Sequence, residues 1–550
     1  MLTFYIITFM SQVDMYSGAL FIQHALNWSI YGSIALLLGL TALVTSLGGL
    51  TAVIYTDTLQ FLIMISGSLY VTFKAVEAVG GWNELQRKYI EAIPSDIIQN
   101  TTCGIPRKDA WVMLRDPVNS DLPWPGFILG QTPASIWYWC ADQMIVQRTL
   151  AAKSLSHAQG GTLFASWFKI LPIFMLIIPG MASRILFTDE IACVTEEKCM
   201  AFCGNPVSCV NSAYPRLVLG IMPEGMRGVM LAVMLAALMS DLSSIFNSAS
   251  TLFALDIWRN LRPRATSKEV LQVGRLFVLV MVAISIVWIP IIQVVQGGQM
   301  YIYIQSVAAY LAPPIAAVYC AAIFIKRTDE KGAFWGLMTG LVLGCLRMIL
   351  DFTFREPRCY EEDTRPWIVR GIHYTYFAVF LFWVTGIIAV VVSLLSKDKD
   401  RWRTVRTTFW SIYDESQRPD ENEEVTEKLR EIEVKEAENS LVRLEEDKPS
   451  ILQHVNNWLF GTDDAKERRE QQGSRNPVLL QRNQQSTWEK VVLNLNLVLV
   501  MCLAIGFYVY FCINPFTEDE IEEMQRMAYL RVSNLSTINN LPANLSDINS

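Results

Sequence analysis

Charge is scarce in this chain. Of its 550 residues only 18% are Asp, Glu, Lys or Arg, against 52% that are apolar. That balance excludes a disordered class, and a net charge of −7 gives no footprint for a polyanion, so a nucleic-acid partner is excluded. Also missing are a glycine-rich nucleotide fingerprint, a phosphate loop, an HExxH pair and a GxSxG elbow. An enzyme reading therefore has no motif behind it. The opening MLTFYIITFMSQVD lacks the positively charged start of a signal peptide and enters an apolar segment at once, with Gln12 and Asp14 inside it.

What the chain does have is long hydrophobic runs. Windows of about 20 apolar residues lie near residues 2–26, 30–47, 51–76, 126–148, 160–187, 228–254, 276–294, 301–325, 333–353, 374–395 and 491–512. An all-α polytopic membrane protein with about eleven transmembrane helices is expected. Residues 1–396 form its membrane core, 397–490 a charged cytosolic loop, 491–512 the last span, and 513–550 an extracellular tail that reads as disordered. Within the loop, Val425, Leu429, Ile432, Ala437, Leu441 and Leu444 recur at helical spacing amid Glu and Lys. They fit a solvated charged linker better than a partner-binding helix.

Two independent signals orient the spans. The connections after the fourth, sixth, eighth and tenth windows hold Arg148 and Lys153; Arg259, Arg262, Arg264 and Lys268; Lys326, Arg327 and Lys331; and Lys397 onward. Positive charge marks the cytosolic side. The opposite side carries the N-glycosylation sequons at Asn100, Asn534 and Asn544. Cys103, Cys193, Cys199, Cys203, Cys209 and Cys359 fall on that outer side, where disulfides persist and a zinc site is disfavoured. Their pairing is not readable from spacing alone. Cys140, Cys320, Cys345, Cys502 and Cys512 lie in or at the end of spans and are expected to be reduced.

Two neighbouring spans break the rules of a lipid phase. Lys169 lies inside the apolar run from about Gly160 to Phe187, and PASIWYWCADQ sets a Trp-Tyr-Trp cluster beside proline and acid. An ammonium at the bilayer centre costs roughly 2.5–3.5 kcal/mol on insertion scales, so such groups face a bundle interior or a water-filled cavity. Further along, LAALMSDLSSIFNS centres Ser240 and Asp241 in the sixth window, where a carboxylate is equally expensive. A polar pathway through the membrane is the expectation.

Longer segments carry a resemblance. GGLTAVIYTDTLQF, DLPWPGFILGQTPASIWYWCADQMIVQRTLAAK, RILFTDEIACV, LMSDLSSIFNSASTLFALDIW, YIQSVAAYLAPPIAAV and KGAFWGLMTG resemble the sodium/glucose cotransporter family. The likeness runs from the first span to about Lys397 and takes in the last span. LMSDL, QGGQMYIYIQ, FWVTG and RTTFW are most similar to its inositol-carrying branch. The resemblance implies the inverted-repeat (LeuT-like) transporter fold, with substrate and sodium held at the midplane between broken helices. It also implies that the chain starts at the third helix of the first repeat. It is therefore expected to be N-terminally incomplete, lacking its first helices and about half of each site.

The site residues follow from the same resemblance. Tyr138 would stack under the substrate ring with Trp139 beside it, and Lys169 and Gln305 would hydrogen-bond its hydroxyl rim, with Ser135 one turn before Tyr138. A flat apolar face suits the C–H face of a cyclitol while polar groups read the rim. Ala237 (carbonyl), Ser240 (hydroxyl) and Asp241 would occupy sodium-ligand positions, with Asp241 either a direct ligand or a tuning charge. Asp57 matches a second acidic position linked to sodium; the alternative is a helix N-terminal acid, worth about 0.3–1 kcal/mol. Cys103 and Cys359 match a disulfide pair of the family. Two function classes result: a symporter coupling Na+ to myo-inositol, or to a related polyol or hexose, at the plasma membrane; and a non-transporting sensor or partner subunit built on transporter helices.

Overall fold

Tyr310, only 1% exposed, sits at the middle of the most enclosed of the described span-length helices. The computed structural model describes most of residues 28–396, a few residues between 15 and 23, parts of 404–414, and 485–539. The segment Val425–Leu444 and most of the loop 397–490 lie outside the described residues.

The long elements in chain order are α1 (Ile30–Val79), α2 (Trp82–Glu91), α3 (Trp124–Ile136), α4 (Gln143–Leu150), α5 (Leu155–Phe168), α6 (Ile178–Leu186), α7 (Ala213–Ile221) and α8 (Glu224–Leu252). They continue with α9 (Ser267–Val295), α10 (Met300–Phe324), α11 (Glu330–Thr353), α12 (Tyr374–Leu395), α13 (Thr487–Tyr510) and α14 (Glu518–Asn539). Among the described residues no strand occurs. Polar caps fix where the helices start. Ser29 accepts from the Gly32 amide, Asp329 from Gly332, and Ser486 and Glu489 form a reciprocal capping box at the head of α13.

Eight helices among the described residues are long and apolar enough to cross a membrane. The difference from eleven windows has three local causes. Most of window 2–26 lies outside the described residues. Windows 30–47 and 51–76 are one helix, α1, which runs on through Gly48 and Gly49. Each glycine weakens a helix by about 1 kcal/mol but removes no hydrogen bond, unlike proline. Window 126–148 is broken into α3, a π-helical turn at Trp137–Ala141, and α4, so it is not one continuous helix.

A second correction concerns the tail. Residues 513–550 were expected to be disordered, yet Glu518–Asn539 is helical. Ile521 is fully buried in the cluster formed by α1, α2, α6 and α7, and Lys108–Glu522 and Arg531–Glu91 ion pairs flank it. One apolar residue per turn sufficed to dock a helix that composition alone marks as polar.

Packing is governed by small residues, as a lipid phase requires, since lipid competes equally for large apolar faces. Gly332, Gly336, Gly340 and Gly344 form one stripe of α11 against α12 and α10. A Cβ on Gly340 would stand 2.7 Å from Pro314 and 2.5 Å from the Thr385 hydroxyl. The bundle has one core around α10, with Trp137, Tyr303, Ala312 and Ala378, and another where α1, α8 and α9 meet through Leu37, Leu242, Phe246 and Met281.

Candidate functional site

Two of the helix breaks among the described residues fall where the sequence sets polar or aromatic residues within apolar windows. Pro133 cannot donate to its helix, and four residues later α3 widens into the π turn that carries Tyr138 and Trp139. The turn closes with the Asp142 amide donating to the Trp137 carbonyl at 2.9 Å, and the Asp142 carboxylate then caps α4. Such π bulges gather at functional sites because they re-aim side chains and free carbonyls. In the second break, α5 ends at Phe168, Lys169 takes the C-cap, and a turn leads to Pro172.

These two breaks face each other. The Lys169 ammonium lies 5.4 Å from the ring centroid of Trp139 and 5.8 Å from that of Tyr138, and the two rings meet edge to face at 5.4 Å. A cation over aromatic faces at this distance is attractive. Three of the residues expected at the substrate site are thus brought together from separate elements. Ser135 is exposed one turn before Tyr138. Gln305 is half-buried on α10, which packs against the π turn.

The second group lies on α1, α4 and α8. Ser240 Oγ donates to Asp57 Oδ1 at 2.6 Å, and Arg148 Nη2 bonds Asp57 Oδ2 at 2.6 Å and Ser244 Oγ at 2.5 Å. Asp57 lies in the interior of α1, so the helix-terminus alternative for it is removed. Asp241 is exposed by area, yet Asp57, Lys169 and Arg148, from three other elements, all act on it electrostatically. Ala237 is one turn before Asp241 on an unbroken helix, so its carbonyl is shared with the helical ladder and has one further lone pair to offer.

Sequence reading missed the roles of two members of this group. Arg148 reads in sequence as a charge marking the cytosolic side, but its guanidinium bridges Asp57 and Ser244. Ser244, four residues after Ser240, shares its face of α8, and that spacing was the available signal. A third polar cluster was also missed. Arg347, 4% exposed, pairs with Asp351 and donates to the carbonyls of Val369 and Ile372, while the Tyr310 hydroxyl donates to Asp351. An Arg and an Asp four apart inside an apolar window would have revealed it.

Cys193–Cys199 and Cys203–Cys209 are disulfides. The three thiol positions close enough to suggest a metal site, Cys193, Cys199 and Cys209, are thereby accounted for. Cys103 is disulfide-bonded, while Cys359 lies outside the described residues, as do Asn100 and Asn544 and the side chain of Asn534. Cys140, Cys320, Cys345, Cys502 and Cys512 are free, as expected for spans.

Two broken helices thus face each other among eight described helices long and apolar enough to cross a membrane. The chain matches a solved structure titled "Substrate-bound outward-open state of a Na+-coupled sialic acid symporter reveals a novel Na+-site", with a TM-score of 0.53 over 73% of this chain and 75% of that one, at 19% identity. That likeness establishes the fold, the inverted-repeat (LeuT-like) architecture. Residues 1–340 match the model of the sodium:solute symporter family, and the chain belongs to that family. It is 55% identical over 419 residues to a sodium/myo-inositol cotransporter of Homo sapiens, covering 74% of this chain and 58% of the relative. It is also 53% identical over 410 residues to sodium/glucose cotransporter 4 of Mus musculus, covering 74% of this chain and 60% of the relative. The chain thus spans less than two thirds of the length of these relatives.

Proposed function

We propose that the chain is a sodium-coupled symporter for myo-inositol, or for a related polyol or hexose, at the plasma membrane. The observation that carries this reading is the placement of Lys169 over Tyr138 and Trp139, on a pair of facing helix breaks. A cyclitol offers an apolar C–H face and a polar rim. The aromatic rings accept the first, and the ammonium, with Gln305 and Ser135 on neighbouring positions, donates to the second. Sodium is a hard ion that takes oxygen ligands in a water-poor site, and Asp57, Ser240, Asp241 and the Ala237 carbonyl supply them.

Arg148 gives this reading its coupling step. In the present arrangement the guanidinium neutralises Asp57 and bonds Ser244. A sodium ion arriving at the carboxylate would displace the guanidinium and release α4 from α1 and α8. α4 follows directly on the π turn that carries Tyr138, so ion binding reaches the substrate site through one short helix.

Positive charge at Lys397 and beyond sets the loop 397–490 in the cytosol and the tail outside. Asn100, Asn534 and Asn544 are then glycosylation sites, and Cys103 pairs with Cys359. A hexose cargo is the second reading, supported by the near-equal identity to the mouse sodium/glucose cotransporter. Uptake of radiolabelled myo-inositol and glucose into cells expressing the chain, in sodium and in choline, tests the proposal. Sodium-dependent uptake that unlabelled inositol suppresses more strongly than glucose supports it. Surface protein with no sodium-dependent uptake of either sugar would refute it in favour of a non-transporting partner subunit.

A further inference from the structure

The last span, α13, touches the bundle mainly along α5. Most of its surface, including Val491, Leu495, Val498, Met501 and Ile505, is exposed. In lipid, apolar contact between helices replaces equal contact with acyl chains, so interhelical hydrogen bonds are what distinguish one docking from another. Three such bonds join α5 to the α13 segment. Gln485 Nε2 donates to Gln159 Oε1 at 2.7 Å and Ser156 Oγ to Glu489 Oε2 at 2.9 Å, both at exposed ends. The third is inside the apolar window, where Trp167 Nε1 donates to Asn496 Oδ1 at 2.9 Å.

The position of that third bond on α5 matters. Trp167 and Lys169 flank Phe168, whose ring meets Phe61 of α1 edge-on at 4.9 Å. The final turn of α5 is therefore held from two sides, by Phe168 against α1 and by Trp167 against α13. Lys169 is the C-cap of this turn, and its backbone amide bonds the Ala165 carbonyl at 3.0 Å. Were the turn to rotate or fray, the ammonium would leave the rings of Tyr138 and Trp139. Indole N–H without a partner is costly in hydrocarbon, so Asn496 fixes the rotation of the turn as well as its distance.

We propose that Asn496 of the last span is a positioning residue for Lys169, acting through the indole of Trp167. The proposal rests on the reading of Lys169 as a substrate-binding group, and its test separates the two. In the full chain in membranes, the rate at which a small water-soluble succinimidyl ester acylates Lys169 is followed by mass spectrometry. The half-saturating myo-inositol concentration and the surface level are measured in the same cells.

Asn496→Leu and Trp167→Phe should each change Lys169 acylation by about three-fold or more, in the same direction, and the double variant no more than either single one. Half-saturation should rise by a similar factor at unchanged surface level, Asn496→Gln should restore it, and in a Lys169→Ala background Asn496→Leu should add nothing. Should Asn496→Leu fail to reach the surface, Trp167→Phe decides alone, because it removes the donor and keeps a ring. Unchanged acylation overturns the positioning role, whatever uptake shows. Altered acylation without inositol uptake by the unsubstituted chain supports the positioning role and overturns the transport reading instead.

Discussion

Arg148 and Asp57 are 91 residues apart in the chain, and their side chains meet at 2.6 Å between α4 and α1. Each also bonds a serine of α8, Ser244 and Ser240, so a four-residue ring closes three helices around one acid. On the proposed reading, a cation competing with the guanidinium for Asp57 would decide whether α4 is tied down.

The first prediction concerns the acids. Asp241→Asn keeps the volume and removes a charge that helps hold a cation. Sodium-dependent uptake should shift to higher sodium concentration, and an unshifted curve would exclude a ligand role. Asp57→Asn should weaken sodium dependence too, and it leaves Arg148 without its anionic partner. The pair is only half-buried, so solvent offsets part of that loss and a modest fall in surface expression should accompany it.

Lys169→Ala should raise the half-saturating substrate concentration by about ten-fold or more, since hydrogen bonds to charged donors are worth roughly 1.5–3 kcal/mol. Gln305→Ala should raise it less, in keeping with about 1 kcal/mol for a neutral bond. A fall in surface level alone, with affinity intact, would mean that both residues only tie helices together.

Gly340→Val tests the small-residue stripe. The added side chain meets Thr385 and Pro314, and overpacking of this kind costs roughly 1–3 kcal/mol. The melting temperature in detergent should drop by several degrees, whereas Gly161→Val, where a Cβ meets nothing, should leave it unchanged.

Acid should weaken the N-terminal end of α12. His373 caps that helix with Nδ1 accepting from the Thr375 amide at 3.4 Å, a bond that requires the neutral ring. Burial, opposed by Asp121 and assisted by Arg347, holds its pKa below the ordinary 6.5. A histidine with a depressed folded pKa contributes stability above the unfolded value and loses it as pH falls from about 6.5 towards the folded one. Melting temperature should therefore decline across that window, and His373→Asn, which caps without titrating, should flatten the decline.

Cys103 and Cys359 should be recovered as a linked peptide pair under non-reducing conditions. A cross-link over so long a loop is worth roughly 4–5 kcal/mol in the chain-entropy picture. Both thiols alkylated in surface protein would refute the pairing.

Much was legible in the sequence because a membrane enforces simple rules. Apolar runs of span length must be helices, since no other open structure satisfies its backbone in lipid. Of the charged residues within such runs, Asp57 bonds Ser240 and Arg148, while the Lys169 ammonium lies over the Tyr138 and Trp139 rings. Cysteine location divided disulfides from free thiols correctly among the described residues. Tertiary structure alone decided which polar groups pair. Arg148 could have been an interfacial charge until α4 set it against Asp57. The glycines of α1 could have ended a helix, and the tail from Glu518 could have stayed unfolded, until packing of Ile521 favoured order. For the apolar spans, helix formation is a local consequence of composition and length. The partner of a side chain depends on how helices from distant parts of the chain rotate and cross, and one sequence holds no local record of that angle.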